Sequence, residues 1–222
     1  RDFAIMLAAF NQLGYSVEWR VINAADYGRA QRRRRVFFFV FRNDTKWGER
    51  LHTKYEATLS NDADLNARLD CYAPYIFEDG LFGRQFPVKN EAVKKRINAN
   101  KLDEDIAEVS ANFSDGKMWN SGLMTNGYYY TIETEPKGDE EPIPMKKIVV
   151  KENQVPEDYY VDGEKLEKFK YLRGPKKITR TAANGHTYTF SEGGMSEYDS
   201  LELPGRTMLT SEGSVNRSTH LL

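Results

Sequence analysis

Apolar residues recur with helical spacing at the start of the chain. Phe3, Met6, Leu7, Phe10 and Leu13 predict a helix over residues 3 to 13 that lays one stripe on a core and stops at Gly14. The period then changes to two. Val17, Trp19 and Val21 alternate with Glu18 and Arg20 as in a strand, and Asp26-Tyr27-Gly28 predicts a turn. A second strand follows, headed by four arginines, Arg32 to Arg35. The six apolar residues from Val36 to Phe41 continue it and read as buried on both faces.

Beyond Arg42 the pattern loosens. Asn43 to Asp62 is polar and mixed, Gly80 to Pro87 reads as an exposed or interface loop, and Ala92 to Val109 predicts a charged surface helix pair interrupted near Asn98-Ala99-Asn100. Trp119 to Thr134 is extended in pattern, with Asn126-Gly127 as a hairpin turn between Leu123-Met124 and Tyr128-Tyr129-Tyr130. The tyrosines offer rings for base stacking, although aromatics in a strand more often pack a sheet face. Glu133, Glu135, Asp139, Glu140 and Glu141, interspersed with proline and glycine, predict a DNA-averse, mobile linker or loop. Glu164 to Leu172 predicts a short helix, and Asn184-Gly185 a second hairpin joining Lys177 to Thr181 with Thr187 to Phe190.

The 222 residues suffice for one large or two modest domains, and 40% apolar content suffices for a core. Net charge is −1, so a polyanion partner is not announced globally. Locally it is. From Arg1 to Arg42 eight basic residues face Asp2, Glu18 and Asp26, and from Lys165 to Arg180 seven face Glu167 alone. The single cysteine, Cys71, excludes an intrachain disulfide, fits a reducing cytosol and reads as a buried or incidental thiol. With histidines scattered at 52, 186 and 220, a zinc site is not expected. No apolar run is long enough to span a bilayer.

A strand starting at Gln31 would put Gln31, Arg33 and Arg35 on one face and Arg32 and Arg34 on the other; a one-residue slip would exchange the sets. Guanidiniums held on a sheet are always charged and present a planar fork of donors suited to phosphate or a base carbonyl oxygen.

The stretch Gly14-Tyr15-Ser16-Val17-Glu18-Trp19-Arg20-Val21-Ile22-Asn23-Ala24-Ala25-Asp26-Tyr27-Gly28, followed by Gln31 and the arginines, resembles the eighth conserved motif and lead-in of DNA (cytosine-5) methyltransferases. A second block, Leu203 to Gly213 and then Asn216-Arg217-Ser218-Thr219-His220, is similar to the end of the target recognition domain in bacterial and phage members. The family's Gly-containing cofactor loop, Pro-Cys nucleophile and Glu-Asn-Val motif have no counterpart in this sequence, and Cys71 lacks the nucleophile's flanking proline and glutamine. The resemblance therefore implies a fragment, inactive alone.

It also implies a fold: α/β, with residues 1–43 as the end of a Rossmann-like S-adenosylmethionine-dependent methyltransferase sheet. Residues 44–78 would connect to a mixed, mainly β target recognition domain over 79–222. In the family a cytosine is extruded from duplex DNA and methylated at C5 from S-adenosylmethionine, which the missing part of the enzyme would bind. By resemblance, Arg35 reaches the cytosine O2 and steadies the absent glutamate, Arg33 supports the nucleophile loop and a phosphate, and Gln31 fixes that end of the strand. Thr207 orients the phosphate beside the flipped base, with Met208 softer than the family's usual aliphatic residue. Arg206, Thr210, Ser211, Glu212, Asn216 and Arg217 are candidates to read base edges, and Lys177 and Arg180 to track phosphates. The partner expected is double-stranded DNA, with no membrane, and the full enzyme a monomer in the cytoplasm of a bacterial or phage-infected cell. Two alternatives stand beside this: a separate DNA-binding specificity subunit of a split methyltransferase, and a nucleic-acid-binding module without catalytic ancestry, such as a cytosolic RNA-binding one.

Overall fold

The computed structural model describes residues 1–60, 62–90, 96–102, 105–112 and 118–222, which form two compact units. The first comprises residues 1–23 and 34–139, the second residues 24–33 and 140–222. The acidic stretch therefore holds the boundary. Residues 79–139 fall in the same unit as the first two strands.

The first unit is built on a five-stranded sheet. Its strands are β1 (Tyr15–Asn23), β2 (Arg34–Arg42), β3 (Ile97–Lys101), β4 (Ser121–Thr125) and β5 (Tyr128–Ile132), in the order β2-β1-β4-β5-β3 with every pairing antiparallel. One face is covered by helix α1 (Asp2–Gln12), whose Ala4, Leu7 and Ala8 pack with Val17, Trp19, Met124 and Tyr129, and by α5 (Ile106–Asn112) through Val109. The other carries α2 (Lys46–Tyr55), α3 (Leu65–Pro74), a π-helical turn over Tyr75–Asp79 and α4 (Leu81–Gln85). There Leu51, Tyr55, Leu69, Tyr72 and Ile76 meet Phe41, Leu123, Tyr130 and Ile132. Tyr129 and Tyr130 are thus core residues.

Several expectations hold: the first helix, its stop at Gly14 (φ 76°), both strands, and the 126–127 hairpin with φ of 46° at Asn126 and 76° at Gly127. Others are corrected. Residues 46–55, read as polar and mixed, form a helix capped by Thr45, with Trp47, Leu51 and Tyr55 in one row. Asn98-Ala99-Asn100, read as a break between surface helices, lies inside β3, paired to Tyr129–Thr131; Ala92 to residue 95 lie outside the described residues. Gly80 to Pro87, read as an exposed or interface loop, contains α4 with Phe82 buried.

The cause of that last difference is in β1, which is buried on both faces through its centre. Glu18 accepts hydrogen bonds from the backbone N–H groups of Leu81 and Phe82, each at 2.9 Å, and from the Tyr75 hydroxyl at 3.3 Å. Burial raises its pKa, opposed by those hydrogen bonds and by Arg20. The Arg20 guanidinium donates to the carbonyls of Phe82 (3.3 Å), Phe86 (2.9 Å) and Ile76. Two side chains on one face of β1 thereby satisfy the buried backbone of residues 76–86.

The apolar run also differs from expectation. β2 is an edge strand, and Val36, Phe37 and Phe38 are 47%, 47% and 39% exposed. Phe39 packs on Trp47 of α2 and Phe38 meets Phe3 of α1, yet these helices leave the start of the strand open.

Gly122 on β4 lies flat against Trp19. A Cβ there would sit 2.1 Å from the indole Cζ2. Gly122→Ala is expected to cost about 1–3 kcal/mol by overpacking, read as a lowered urea midpoint with an unchanged slope; an unaltered midpoint would mean that the indole has room to move.

The second unit contains helix α6 (Gly163–Arg173), capped by Asp162, and the hairpin β6 (Lys176–Thr181) with β7 (Thr187–Glu192), both as predicted. Most of its remaining backbone is irregular, with short 3-10 turns. Gly28 (φ 70°) belongs here, its α-carbon against Glu140, whose carboxylate would lie 2.6 Å from an added Cβ. Among the described residues of the whole chain no helix is long and apolar enough to cross a membrane.

Candidate nucleic-acid interface

The arginine run does not form one regular strand. β2 begins at Arg34; before it the chain kinks, the Arg33 N–H donating to the Gln31 carbonyl at 3.0 Å. The alternation argument therefore does not extend from Gln31 to Arg35. Arg34 and Arg35 belong to the first unit, Gln31, Arg32 and Arg33 to the second.

In the first unit, Arg35 stands opposite Ile22 and shares the face of Phe37 and Phe39. Its side chain is exposed and its Nη1 donates to the Arg34 carbonyl at 2.8 Å. The backbone is fixed by the β1 ladder while the guanidinium remains accessible.

In the second unit, residues 30–32 are held against the far end of the chain. The Arg32 N–H donates to the Gly205 carbonyl at 2.7 Å, the Gly205 N–H to the Ala30 carbonyl at 2.8 Å, and Gln31 forms a parallel bridge with Gly205. The Thr207 hydroxyl donates to the Arg32 carbonyl at 2.9 Å. Residues 175 positions apart in sequence are thus joined as one site.

Behind Thr207 lies a buried charge cluster that sequence reasoning missed. Asp199 receives Arg206 in a two-pronged pair, Nε at 2.5 Å and Nη2 at 3.0 Å, together with Arg173 Nη2 at 2.9 Å and the Leu221 N–H at 3.0 Å. Burial would raise its pKa; the hydrogen bonds from Arg206, Leu221 and Arg173 overcome that and hold it well below the usual carboxylate range. Arg173 is itself buried and donates to the carbonyls of Ser196, Glu197 and Thr219. No local pattern marks Asp199, because its partners come from three separate stretches.

Other predicted contact residues are also engaged internally. Arg217 pairs with Glu192 at 2.9 Å and donates to the carbonyls of Leu172 and Gly193. Glu212 accepts from the backbone N–H and ring Nδ1 of His220, and Asn216 donates to the Ser211 carbonyl at 2.8 Å. Thr210 and Ser211 are exposed, as are Lys177 and Arg180 on β6, where Arg180 stacks on Phe190 at 3.9 Å. Cys71, in the first unit, donates its thiol to the Tyr55 carbonyl at 3.1 Å. No cluster of three metal-ligating side chains occurs among the described residues.

The first unit presents an edge strand bearing an accessible arginine, and the second a glycine-threonine segment clasped to residues 30–32. Residues 1–210 match the family model of C-5 cytosine-specific DNA methylases, and the chain belongs to that family. It is 49% identical over all 222 residues to the type II methyltransferase M.Sau3AI of Staphylococcus aureus, 49% of whose length is covered. A shorter stretch of 43 residues, 19% of this chain, is 44% identical to the type II methyltransferase M.MthTI of Methanothermobacter thermautotrophicus and covers 13% of it. The chain thus spans about half the length of the first relative and a smaller part of the second. No solved structure matches.

Proposed function

We propose that this chain is part of a DNA cytosine-C5 methyltransferase of restriction-modification type that modifies a flipped cytosine within a specific double-stranded sequence. The observation that carries the reading is the clasp between residues 30–32 and Gly205-Thr207, which unites the two stretches that independently resemble the family. S-adenosylmethionine would supply the methyl group, and no residue of this chain is assigned to it.

Arg35 is assigned to the cytosine O2. Attack at C6 pushes electron density onto the ring and its carbonyl oxygen, and a cation fixed in advance stabilises that charge without reorganising. Arg33 is assigned to the nucleophile loop and a phosphate, and Gln31 to positioning. Thr207, already bonded to the Arg32 carbonyl, is assigned to the phosphate beside the flipped base. Unstacking the cytosine costs a few kcal/mol, offset by such backbone contacts.

The antiparallel β1–β2 pair is proposed as the end of a larger Rossmann-like methyltransferase sheet. The exposed apolar start of β2 supports this, since long uncovered apolar edges are normally paired or shielded. Residues 140–222 are proposed as the sequence-recognition portion, with Thr210, Ser211 and Lys177 facing DNA, while Arg206, Glu212, Asn216 and Arg217 position that surface through their internal partners.

Mapping of modified cytosines in DNA treated with the intact protein tests the reading. One short sequence carrying 5-methylcytosine is expected; modification at adenine, or none in any duplex, would overturn it.

A further inference from the structure

The β6–β7 hairpin has a two-sided construction that the recognition reading leaves unexplained. Its register places Lys177, Thr179 and Thr181 on one face with Thr187, Thr189 and Ser191. All six are exposed, and among the described residues none of their side chains is engaged in a hydrogen bond or ion pair. The face carries one cation and no acid.

The opposite face is held at its base. Lys176 donates to the Leu172 carbonyl at 2.7 Å and pairs with Glu192 at 3.3 Å, and Glu192 also holds Arg217. Farther along that face Ile178, Arg180 and Tyr188 are exposed, with Arg180 on the ring of Phe190 in the same hairpin, so the ribbon projects from an anchored base. A lone two-stranded ribbon is marginal by itself, and an anchored ribbon with a bare row of hydroxyls is shaped for a partner.

Resting on the methyltransferase reading, we infer that this ribbon enters the major groove of the target duplex, with the Thr179, Thr181, Thr187, Thr189 and Ser191 face toward base edges and Lys177 at a phosphate. The B-form major groove admits a two-stranded ribbon. Six residues reach about 20 Å, or about six base pairs of duplex. Hydroxyls donate and accept, so they serve any base edge, and the threonine methyls fit the thymine methyl. Arg180, stacked on Phe190 of the same hairpin, faces the other way and lies outside this base-reading row.

The test uses the intact protein and a pool of duplexes with randomised sites, scored both for binding selection and for methylation. The variants are Thr179→Val with Thr189→Val, which keep branched strand-forming side chains but lose both hydroxyls, and Lys177→Ala. The valine pair is expected to relax preference at one or more positions by at least about tenfold. Its affinity for non-specific DNA should stay within about threefold of wild type. Lys177→Ala should weaken binding to all sequences and lower the salt slope by about one.

Unchanged positional preference in the valine pair overturns the ribbon and leaves the methyltransferase reading standing. A wild-type protein that selects a sequence but methylates nothing overturns the enzymatic reading, while the same variants still decide the ribbon. A wild-type protein with no sequence selection overturns both. If the valine pair does not fold, Thr187→Val and Lys177→Ala decide the matter through the same two scores.

Discussion

Replacing Arg35 by alanine in the intact protein is expected to lower turnover by about 10²–10³-fold while DNA affinity changes by less than about threefold. The asymmetry follows from where the side chain stands. Arg35 is set by the β1 ladder opposite Ile22, so the strand survives its loss, and its accessible guanidinium would contribute one contact among many to phosphate-dominated binding. Its proposed partner, the cytosine O2, gathers charge only during reaction. Lysine should recover little, because a compact ammonium lacks the planar fork that meets a carbonyl and a neighbouring carboxylate together. Single-turnover methylation beside equilibrium binding separates the two quantities. Equal losses in both would remove Arg35 from the reacting base and leave it a phosphate contact.

Loss of Asp199 is expected to destabilise the second unit by about 3–5 kcal/mol, because Asp199→Ala leaves the buried Arg173 without its carboxylate and frees Arg206 from its two-pronged pair. The effect should carry a pH signature. The folded-state pKa is depressed, so the unfolded chain binds the proton more readily. The stabilisation is then fully present above the unfolded value of about 3.9 and is lost as pH falls through that value toward the folded one. Urea unfolding of wild type and variant should show a gap that is constant from pH 7 to about 5 and narrows below about pH 4. A gap independent of pH would assign the loss to packing alone. Because Thr207 neighbours Arg206, sequence selection should weaken in the same variant.

The elements legible in the sequence were those whose stabilising partners lie close along the chain. The first helix, the two hairpins and α6 declare themselves through short-range periodicity, a glycine or asparagine with positive φ, or an N-cap. Helix α2 was missed because charged residues hide a three-residue apolar row, although Thr45 marks its start. The strand at residues 97–101 was missed because β3 pairs with β5 across an intervening helix, which no local pattern encodes. Val36 to Phe41 was read as doubly buried because apolar content reports what a surface tolerates, whereas its cover depends on which neighbours are present. For the site, residue chemistry singled out the arginines, while resemblance supplied their roles and drew attention to Thr207. The engagement of Arg206 and Arg217 with Asp199 and Glu192 was invisible, since a free arginine and one paired to a distant carboxylate look alike in one dimension.

The attachment of residues 76–86 to β1 bears on how specificities can be exchanged between relatives. A chimaera joined at residue 79 would graft a foreign turn onto a strand whose carboxylate and guanidinium are cut to fit the native one, stranding Glu18 against unmatched amides. A seam after residue 139 keeps that lock and its key in one parent, and should yield hybrids that fold.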